Sequence, residues 1–321
     1  MITNTSNNKK NVLLTGSEGS LAQWMLENYL QEFNVIGVDI QDKSNSKNSS
    51  YNFIKTNLCD LPSLLNIFAN YQIDYVLHCA AQIYGVRGFH LFPADILSNN
   101  LVSTSNLLKC SVKHNIKKFA FISSSMVYET ATEFPLKEEF TESISMPITG
   151  YGYSKLSGER LIQSYNDQYK LPYVIWRPFN IVTPLEQSEP EPGLAHVMAD
   201  FIKKIYIDKN DCIEIFGNGE QVRCFSYIDD IAKIVASKSF DETTSNQIYN
   251  LGSETPTKII DLAKSIFKKS KRSDQFKVKF TEIFDSDVQF RIPDCTKAKS
   301  IGFLNTKNIE ELVDMCIKHY Q

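Results

Sequence analysis

The stretch NVLLTGSEGSLA, at residues 11–22, decides the fold that this sequence predicts. It opens with an apolar run typical of a buried strand and ends where a helical pattern begins. Between the two, Gly16 permits a tight turn and Gly19 allows backbone amides to approach a pyrophosphate, whose charge the following helix N-terminus favours. The small Ala22 permits close contact between helix and strand. This order predicts a dinucleotide site, although Gly-x-x-Gly by itself is also a common turn.

Outward from this stretch, the first half of the chain alternates short apolar runs with helical patterns. Strands are predicted at 11–15, 35–39, 51–55, 74–78, 118–123 and 173–176, and helices at 20–30, 61–69, 93–114 and 151–169. The alternation predicts an α/β fold with a Rossmann-type doubly wound parallel sheet, whose ligands lie at the carboxyl ends of the strands. The pattern changes after Pro178. We therefore expect a nucleotide-binding domain at 1–180, with segments near 225–252 returning to it, and a smaller, mainly substrate-binding C-terminal lobe at 181–321.

Composition narrows the classes of function. The chain has 321 residues, 34 basic and 37 acidic side chains, and a formal net charge of -3. This balance lacks the basic stripe of a nucleic-acid-binding protein, so no nucleic acid partner is expected. The sequence has no run of 18 apolar residues and no secretory signal pattern, so no membrane association is expected. Seven scattered cysteines predict a reduced, cytoplasmic protein, and the five histidines show no metal-ligand spacing.

An acidic residue, Asp39, ends the second predicted strand. A carboxylate at this position accepts hydrogen bonds from the adenosine ribose hydroxyls and repels a 2′-phosphate. The position therefore favours NAD over NADP as the cofactor. The alternative is an acidic residue that simply ends a strand at the surface.

Tyr151 and Lys155 lie four residues apart at the start of a predicted helix, which puts both side chains on one face. The charge of Lys155 is expected to lower the pKa of Tyr151, whose phenolate then accepts a proton from a substrate hydroxyl while hydride leaves the carbon. Ser124 follows the fifth predicted strand, from where its hydroxyl reaches the same oxygen. Tyr-x-x-x-Lys also arises by chance on exposed helices, and a serine also ends strands. The order of glycine turn, acidic strand end, serine and Tyr/Lys pair favours nicotinamide redox chemistry.

With these pieces in order, the chain resembles the extended short-chain dehydrogenase/reductases, and among them the NAD-dependent nucleotide-sugar epimerase/dehydratase group. Nine blocks carry the resemblance: TGSEGSLA at 15–22, HCAA at 78–81, NLVSTSNLL at 100–108, SSSMVY at 123–128, YGYSKLSGE at 151–159, RPFN at 177–180, FGNGEQVRCFSYIDD at 216–230, YNLGS at 249–253 and RIPDCTKAKSIGF at 291–303.

The resemblance implies a set of NAD-binding residues. These are Gly16, Gly19, Ser20 and Leu21 at the pyrophosphate, Asp39 and Ile40 at the ribose, Asn57 and Leu58 beside the adenine, Ala80, Ala81 and Asn100 along the channel, and Ser123, Tyr151, Lys155 and Phe179 towards the nicotinamide. Asn57 departs from the aspartate that the group usually carries.

The resemblance also implies a nucleotide-diphosphate sugar, most simply a UDP-sugar, as the substrate. Asn180 and Arg223 correspond to residues that meet the diphosphate, and Arg291 is a second candidate because Phe284 stands where many relatives carry an arginine. Either arginine could instead form an exposed ion pair. Ser125 and Met126 would face the sugar, and His196 is either a proton donor or a packed helix residue.

The reaction depends on the two residues after Ser124. The 4,6-dehydratases of the group carry Asp-Glu there, the decarboxylases a glutamate and the epimerase–reductases a cysteine, whereas this chain has Ser125 and Met126. We therefore expect a UDP-sugar 4-epimerase-like enzyme that acts through transient oxidation at C4. The alternatives are a 4,6- or 5,6-type dehydratase, with Glu129 (for the usual glycine) or the Cys79 neighbourhood supplying an acid or base, a 4-ketoreductase, and a non-catalytic NAD-binding sensor.

The helices predicted at 93–114 and 151–169 carry apolar residues on more than one face. In the group that the chain resembles, this pair forms a four-helix dimer interface, which implies a homodimer. The alternative is that both helices are simply buried against the sheet.

Overall fold

The structure, a computed structural model, describes residues 9–43, 46–186, 195–282 and 288–319. Phe284 and residues 187–193 of the acidic segment that follows Pro178 lie outside the described residues.

The described chain forms parallel strands, short strand pairs and flanking helices. The strands are β1 (Asn11–Thr15), β2 (Asn34–Asp39), β3 (Tyr51–Lys55), β4 (Tyr75–His78), β5 (Lys118–Ile122), β6 (Tyr173–Pro178), β7 (Ile181–Val182), β8 (Ile213–Phe216), β9 (Val222–Arg223), β10 (Ser226–Tyr227), β11 (Gln247–Leu251), β12 (Thr257–Lys258), β13 (Val278–Thr281) and β14 (Phe290–Arg291). The helices are α1 (Ser20–Asn28), α2 (Leu61–Asn70), α3 (Val86–Leu91), α4 (Pro93–Lys113), α5 (Gly150–Tyr169), α6 (Val197–Phe201), α7 (Ile228–Lys238), α8 (Ile259–Lys269), α9 (Thr296–Ser300) and α10 (Ile309–His319).

Seven strands form the central sheet in the order β11-β6-β5-β4-β1-β2-β3, and every neighbouring pair is parallel. Successive β1 side chains enter different cores: Val12 and Leu14 join the helices α1 and α7, whereas Leu13 joins α2, α4 and α5. Both faces are thus covered, which explains why central strands such as β1 and β5 are nearly continuous apolar runs rather than alternating ones. The predicted doubly wound parallel sheet is confirmed.

The start of α5 is set by a cap. The side chain of Thr149 accepts a hydrogen bond from the Gly152 amide at 3.1 Å, which is the usual N-cap arrangement. Glu129 adds a second fixing point, because its Oε2 accepts from the amides of Ile148 (2.6 Å) and Thr149 (2.8 Å). Tyr151 therefore lies in the first turn of a helix whose beginning is held by two polar side chains.

The later part of the chain builds a separate apolar cluster from α6, α8, α10 and the parallel pair β8–β13. A π-helical turn at Ile202–Ile207 extends α6, and β12, β9 and β14 form a three-stranded sheet beside it. Within the described residues, every helix is too short or too polar to span a bilayer.

Candidate active site

The glycine turn after β1 lies directly against the end of β4. Gly16 has φ +65°, and a Cβ at this position would lie 2.6 Å from the Ala80 Cα, so both backbone conformation and space require glycine. Gly19 is the N-cap of α1 and no side chain caps that helix. The first amides of α1, those of Ser20 and Leu21 among them, therefore remain available for an anion, as the predicted pyrophosphate site needs.

Beside this turn, the carboxylate of Asp39 is held at the end of β2. Its Oδ2 accepts from the Glu18 amide at 3.0 Å and its Oδ1 from the Gln41 amide at 2.9 Å. Ile40 is 60% exposed at the same edge. Asn57 follows the neighbouring strand β3, and its Oδ1 accepts a hydrogen bond from the Cys59 amide at 2.9 Å within the same loop.

A buried row of polar groups crosses the sheet beneath the predicted channel. Thr15 Oγ1 lies 2.7 Å from His78 Nδ1, and His78 Nε2 lies 3.1 Å from Thr104 Oγ1. Asn100 ends the row: its Oδ1 accepts from the Gln82 amide at 2.8 Å. Burial, with the charge of Lys155, lowers the pKa of His78 to about 3, so the imidazole is neutral. The row fixes the loop that contains Ala80 and Ala81.

The structure brings Tyr151, Lys155 and Ser124 together at the carboxyl ends of β5 and β6. Lys155 donates from Nζ to the Ile122 carbonyl at 2.7 Å, and this Nζ lies 5.8 Å from the centre of the Tyr151 ring. Burial lowers the pKa of Lys155 to about 8. Burial also raises the pKa of Tyr151 to about 12, against the opposing effects of a hydrogen bond with Ser124 and of the charge of Arg291. The expected lowering of the tyrosine pKa is therefore wrong for the protein alone, because desolvation outweighs the nearby charges.

Phe89, from α3, covers the tyrosine. Its ring stacks on that of Tyr151 with centroids 5.1 Å apart and planes 6° apart. Met126 is buried in the same small cluster with Ile96, and Ser125 is buried beside it. No sequence pattern singled out Phe89 as a partner of the tyrosine, which lies 62 positions later in the chain.

Ser123 does not point freely into the site. Its hydroxyl donates to Glu159 Oε1, and Glu159 forms a buried ion pair with Arg177, whose Nη2 lies 2.6 Å from Oε2. Arg177 also donates to the Tyr128 hydroxyl at 2.6 Å and to the Glu138 carbonyl at 2.8 Å. This network ties the end of β5, α5 and β6 together, one helical turn after Lys155.

The remaining predicted residues follow β6, precede α6 or lie on the short strands β9 and β14. Asn180 has φ +36° and its Nδ2 donates to the Cys224 carbonyl at 3.2 Å, while Phe179 is fully buried. Arg223 and Arg291 are paired in register on the parallel strands β9 and β14. The charge of Arg291 acts on Tyr151, on Glu129 and on His196.

Two of these side chains are oriented by specific partners. Nη1 of Arg223 donates to the carbonyls of Val222 (2.9 Å) and Val288 (2.6 Å). His196 Nδ1 lies 2.7 Å from Glu186 Oε1, and its side chain is half exposed, so it is not a packed core residue. The charge of Arg291 therefore links the buried tyrosine with His196, since it acts on both groups.

Comparisons with known proteins match most of the chain. Residues 12–252 match the model of the NAD dependent epimerase/dehydratase family. The human dTDP-D-glucose 4,6-dehydratase is 29% identical over 275 residues, covering 81% of this chain and 73% of that protein. A UDP-glucuronate 4-epimerase from Thermodesulfobacterium geofontis is 31% identical over 261 residues, covering 79% and 74%. The crystal structure of a UDP-glucose 4-epimerase with UDP-glucose from Thermotoga maritima shares 27% identity, covers 97% of this chain and 98% of that chain, and superposes with a TM-score of 0.83.

Proposed function

Because this chain belongs to the NAD dependent epimerase/dehydratase family, we propose that it is a nucleotide-sugar 4-epimerase, acting on a UDP-sugar through transient oxidation at C4. One observation carries the proposal. The Tyr151 hydroxyl is hydrogen-bonded to Ser124, and the buried, apolar Met126 packs in the same cluster as the tyrosine. The site therefore has one proton-handling centre at the reacting oxygen, which is all that inversion at C4 needs.

The reaction begins at the C4 hydroxyl of the sugar. NAD, when bound, would supply the hydride acceptor for oxidation at C4 and the hydride donor for the reverse reduction. Tyr151 accepts the hydroxyl proton with Ser124 sharing it, and the charge of Lys155 favours the phenolate. In the second half-reaction the protonated tyrosine returns that proton to the ketone oxygen.

The residues present fit NAD. The uncapped N-terminus of α1 suits the pyrophosphate, Asp39 suits the ribose hydroxyls, and the loop of Ala80 and Ala81, fixed by Asn100, borders the space between them. Asn57, Leu58 and Ile40 flank the adenosine end, and Phe179 closes the nicotinamide end. Ser123 contributes mainly through its bond to Glu159, which holds the end of β5 in place.

The substrate diphosphate is assigned to the second lobe, formed mainly by residues 181–321. Arg223 and Arg291 lie side by side on adjacent strands, and two guanidinium groups suit two phosphates. Asn180, directly before that lobe, is assigned to the same diphosphate through its side-chain amide. Ser125 and Met126 border the sugar, and His196 stands at the entrance.

A dehydratase remains the second candidate for one reason. Glu129 is buried, burial raises its pKa, and its Oε1 has no hydrogen-bond partner among the described residues. A carboxyl group of this kind within reach of the charge of Arg291 could supply the acid or base that elimination of water requires.

Product analysis separates the two. The protein is incubated with UDP-, GDP- and dTDP-sugars, and each product is followed by NMR and mass spectrometry. Epimerisation leaves the mass unchanged and inverts the C4 proton couplings, whereas dehydration lowers the mass by one water. Tyr151→Phe should reduce turnover by at least about a hundredfold, and Tyr169→Phe, at the exposed end of the same helix, is the matched control. Full turnover by Tyr151→Phe would refute the mechanism.

We also propose a homodimer formed through α4 and α5. The two helices lie against each other, and Val102 and Tyr153 on them remain 42% and 39% exposed. Light scattering should give twice the chain mass, and Val102→Glu should shift it towards the monomer. A monomeric wild-type chain would contradict the proposal.

A further inference from the structure

The glycine turn carries a second carboxylate beside Asp39. Glu18 lies between the two glycines, and its own amide donates to Asp39 Oδ2 at 3.0 Å. The two acidic residues are therefore in direct contact, at the point where the adenosine ribose is assigned.

Tyr51, on β3, fixes the Glu18 side chain. Its hydroxyl donates to Glu18 Oε1 at 2.6 Å and lies 2.9 Å from Ser17 Oγ. The tyrosine reaches this position only because the residue beneath its ring is Gly37: a Cβ there would lie 2.2 Å from the Tyr51 Cε2. Burial and the bond to Glu18 raise the pKa of Tyr51, and the charge of Asp39 acts in the same direction. The hydroxyl is thus a permanent donor that sits close to both carboxylates.

We propose that Glu18 is a specificity-determining residue of the cofactor site, which acts together with Asp39 to exclude a phosphate group on the 2′ oxygen of the adenosine ribose. The inference rests on the NAD site of the proposed function. Exclusion by Asp39 alone is the usual arrangement. Here two carboxylates meet the phosphate, and the second is held in place by Tyr51 rather than free to turn away.

The other charges at this edge are cations and exposed pairs. Lys43 Nζ lies 5.5 Å from the Tyr51 ring centre, and Lys55 is paired with Asp42 at 2.6 Å on the surface. Lys43 would attract a phosphate, so it opposes Glu18. Since it is an exposed side chain, its effect is screened by solvent and salt, whereas the half-buried Glu18 is held by a short hydrogen bond.

Removal of one like charge near a phosphate dianion should change its affinity on the order of tenfold. We therefore expect Glu18→Gln, which keeps an acceptor for Tyr51, to bind NADP about tenfold more tightly while its affinity for NAD changes less than about threefold. Asp39→Asn should still prefer NAD. The double variant should bring the two affinities to within about threefold. Tyr51→Phe should give a smaller gain for NADP than Glu18→Gln, since the charge stays but loses its fixed position.

The test is calorimetric titration of the full chain, freed of bound nucleotide, with NAD and with NADP. Glu32→Gln, an exposed glutamate outside the turn, is the charge-matched control and should leave both affinities unchanged. An NADP/NAD affinity ratio in Glu18→Gln within twofold of the wild type overturns the inference, and so does an equal loss for both nucleotides, which indicates a merely structural role. Failure of the wild type to bind either nucleotide would instead overturn the cofactor assignment itself.

Discussion

Two Arg–Glu pairs on adjacent positions of α5 allow a sharp test of what burial does to an ion pair. Glu159 pairs with Arg177 at 2.6 Å, and each side chain is 1% exposed. Arg160 pairs with Glu142 at 2.7 Å, with 41% and 62% exposed. The chemistry and the distance are matched, so the two pairs differ mainly in access to water.

Glu159→Gln removes the charge that balances a guanidinium with no access to solvent. Breaking a buried pair in this way costs about 3–5 kcal/mol. The lower end applies here, because Arg177 keeps its bonds to Tyr128 and Glu138, and glutamine retains one acceptor. The matched change Glu142→Gln should cost no more than about 1 kcal/mol.

The assay is urea unfolding followed by circular dichroism, with the slope of the transition checked for constancy. We expect free energies of unfolding that differ by at least about 2 kcal/mol between the two variants. Removal of both charges in Glu159→Gln/Arg177→Met should restore part of the loss, since no unpaired charge is left buried. Equal effects of the two single substitutions would refute the reasoning from burial.

Three further outcomes are expected. Gly16→Ala should abolish NAD binding in calorimetry, because the new Cβ would lie 2.6 Å from the Ala80 backbone. The control is Gly302→Ala: this glycine has φ +100° but no atom within 4 Å of the new Cβ, so the change should lower stability and leave NAD binding intact. Turnover should fall as the pH rises through about 8, because Lys155 loses its charge there. Lys155→Arg should move this fall to higher pH, and an unchanged pH profile of turnover would exclude Lys155 as its origin. Burial lowers the pKa of Lys118 to about 8, so the unfolded chain binds more protons than the folded chain between pH 8 and 10.5. The free energy of unfolding should therefore rise more steeply with pH across that window than in Lys118→Met, and parallel pH profiles from urea unfolding of the two proteins would contradict this.

The sequence predicted the six strands β1 to β6 within two residues at each end, because their apolar runs are bounded by polar turns. It did not predict the short strands in the later part of the chain. β9 and β14 are two residues long, and so short a segment has no periodicity to detect. Their consequence, the pairing of Arg223 with Arg291 in register, follows only from the fold.

The motif residues were predictable and their environment was not. Tyr151, Lys155 and Ser124 are set by spacing and order along the chain. The partners that decide their properties come from distant positions: Phe89 stacks on the tyrosine, and burial sets its pKa. No pattern along the sequence reports desolvation, and the sequence therefore predicts the wrong direction for the pKa shift of Tyr151.

Strand β11, at one edge of the central sheet, has a consequence for how the protein folds during synthesis. β11 pairs with β6, yet about seventy residues separate them in the chain, and Asn250 on β11 accepts a bond from Tyr128 at 2.7 Å. A ribosome therefore completes the whole set of Tyr151, Lys155 and Ser124 well before it synthesises the strand that covers the edge of β6. During that interval the nascent chain has β6, which contains Trp176, as an unpaired strand at the edge of the sheet. Unpaired edges of this kind pair with strands of other chains. Slow synthesis between residues 178 and 247 should thus increase aggregation, and chaperones that shield strand edges should matter most at that stage of translation.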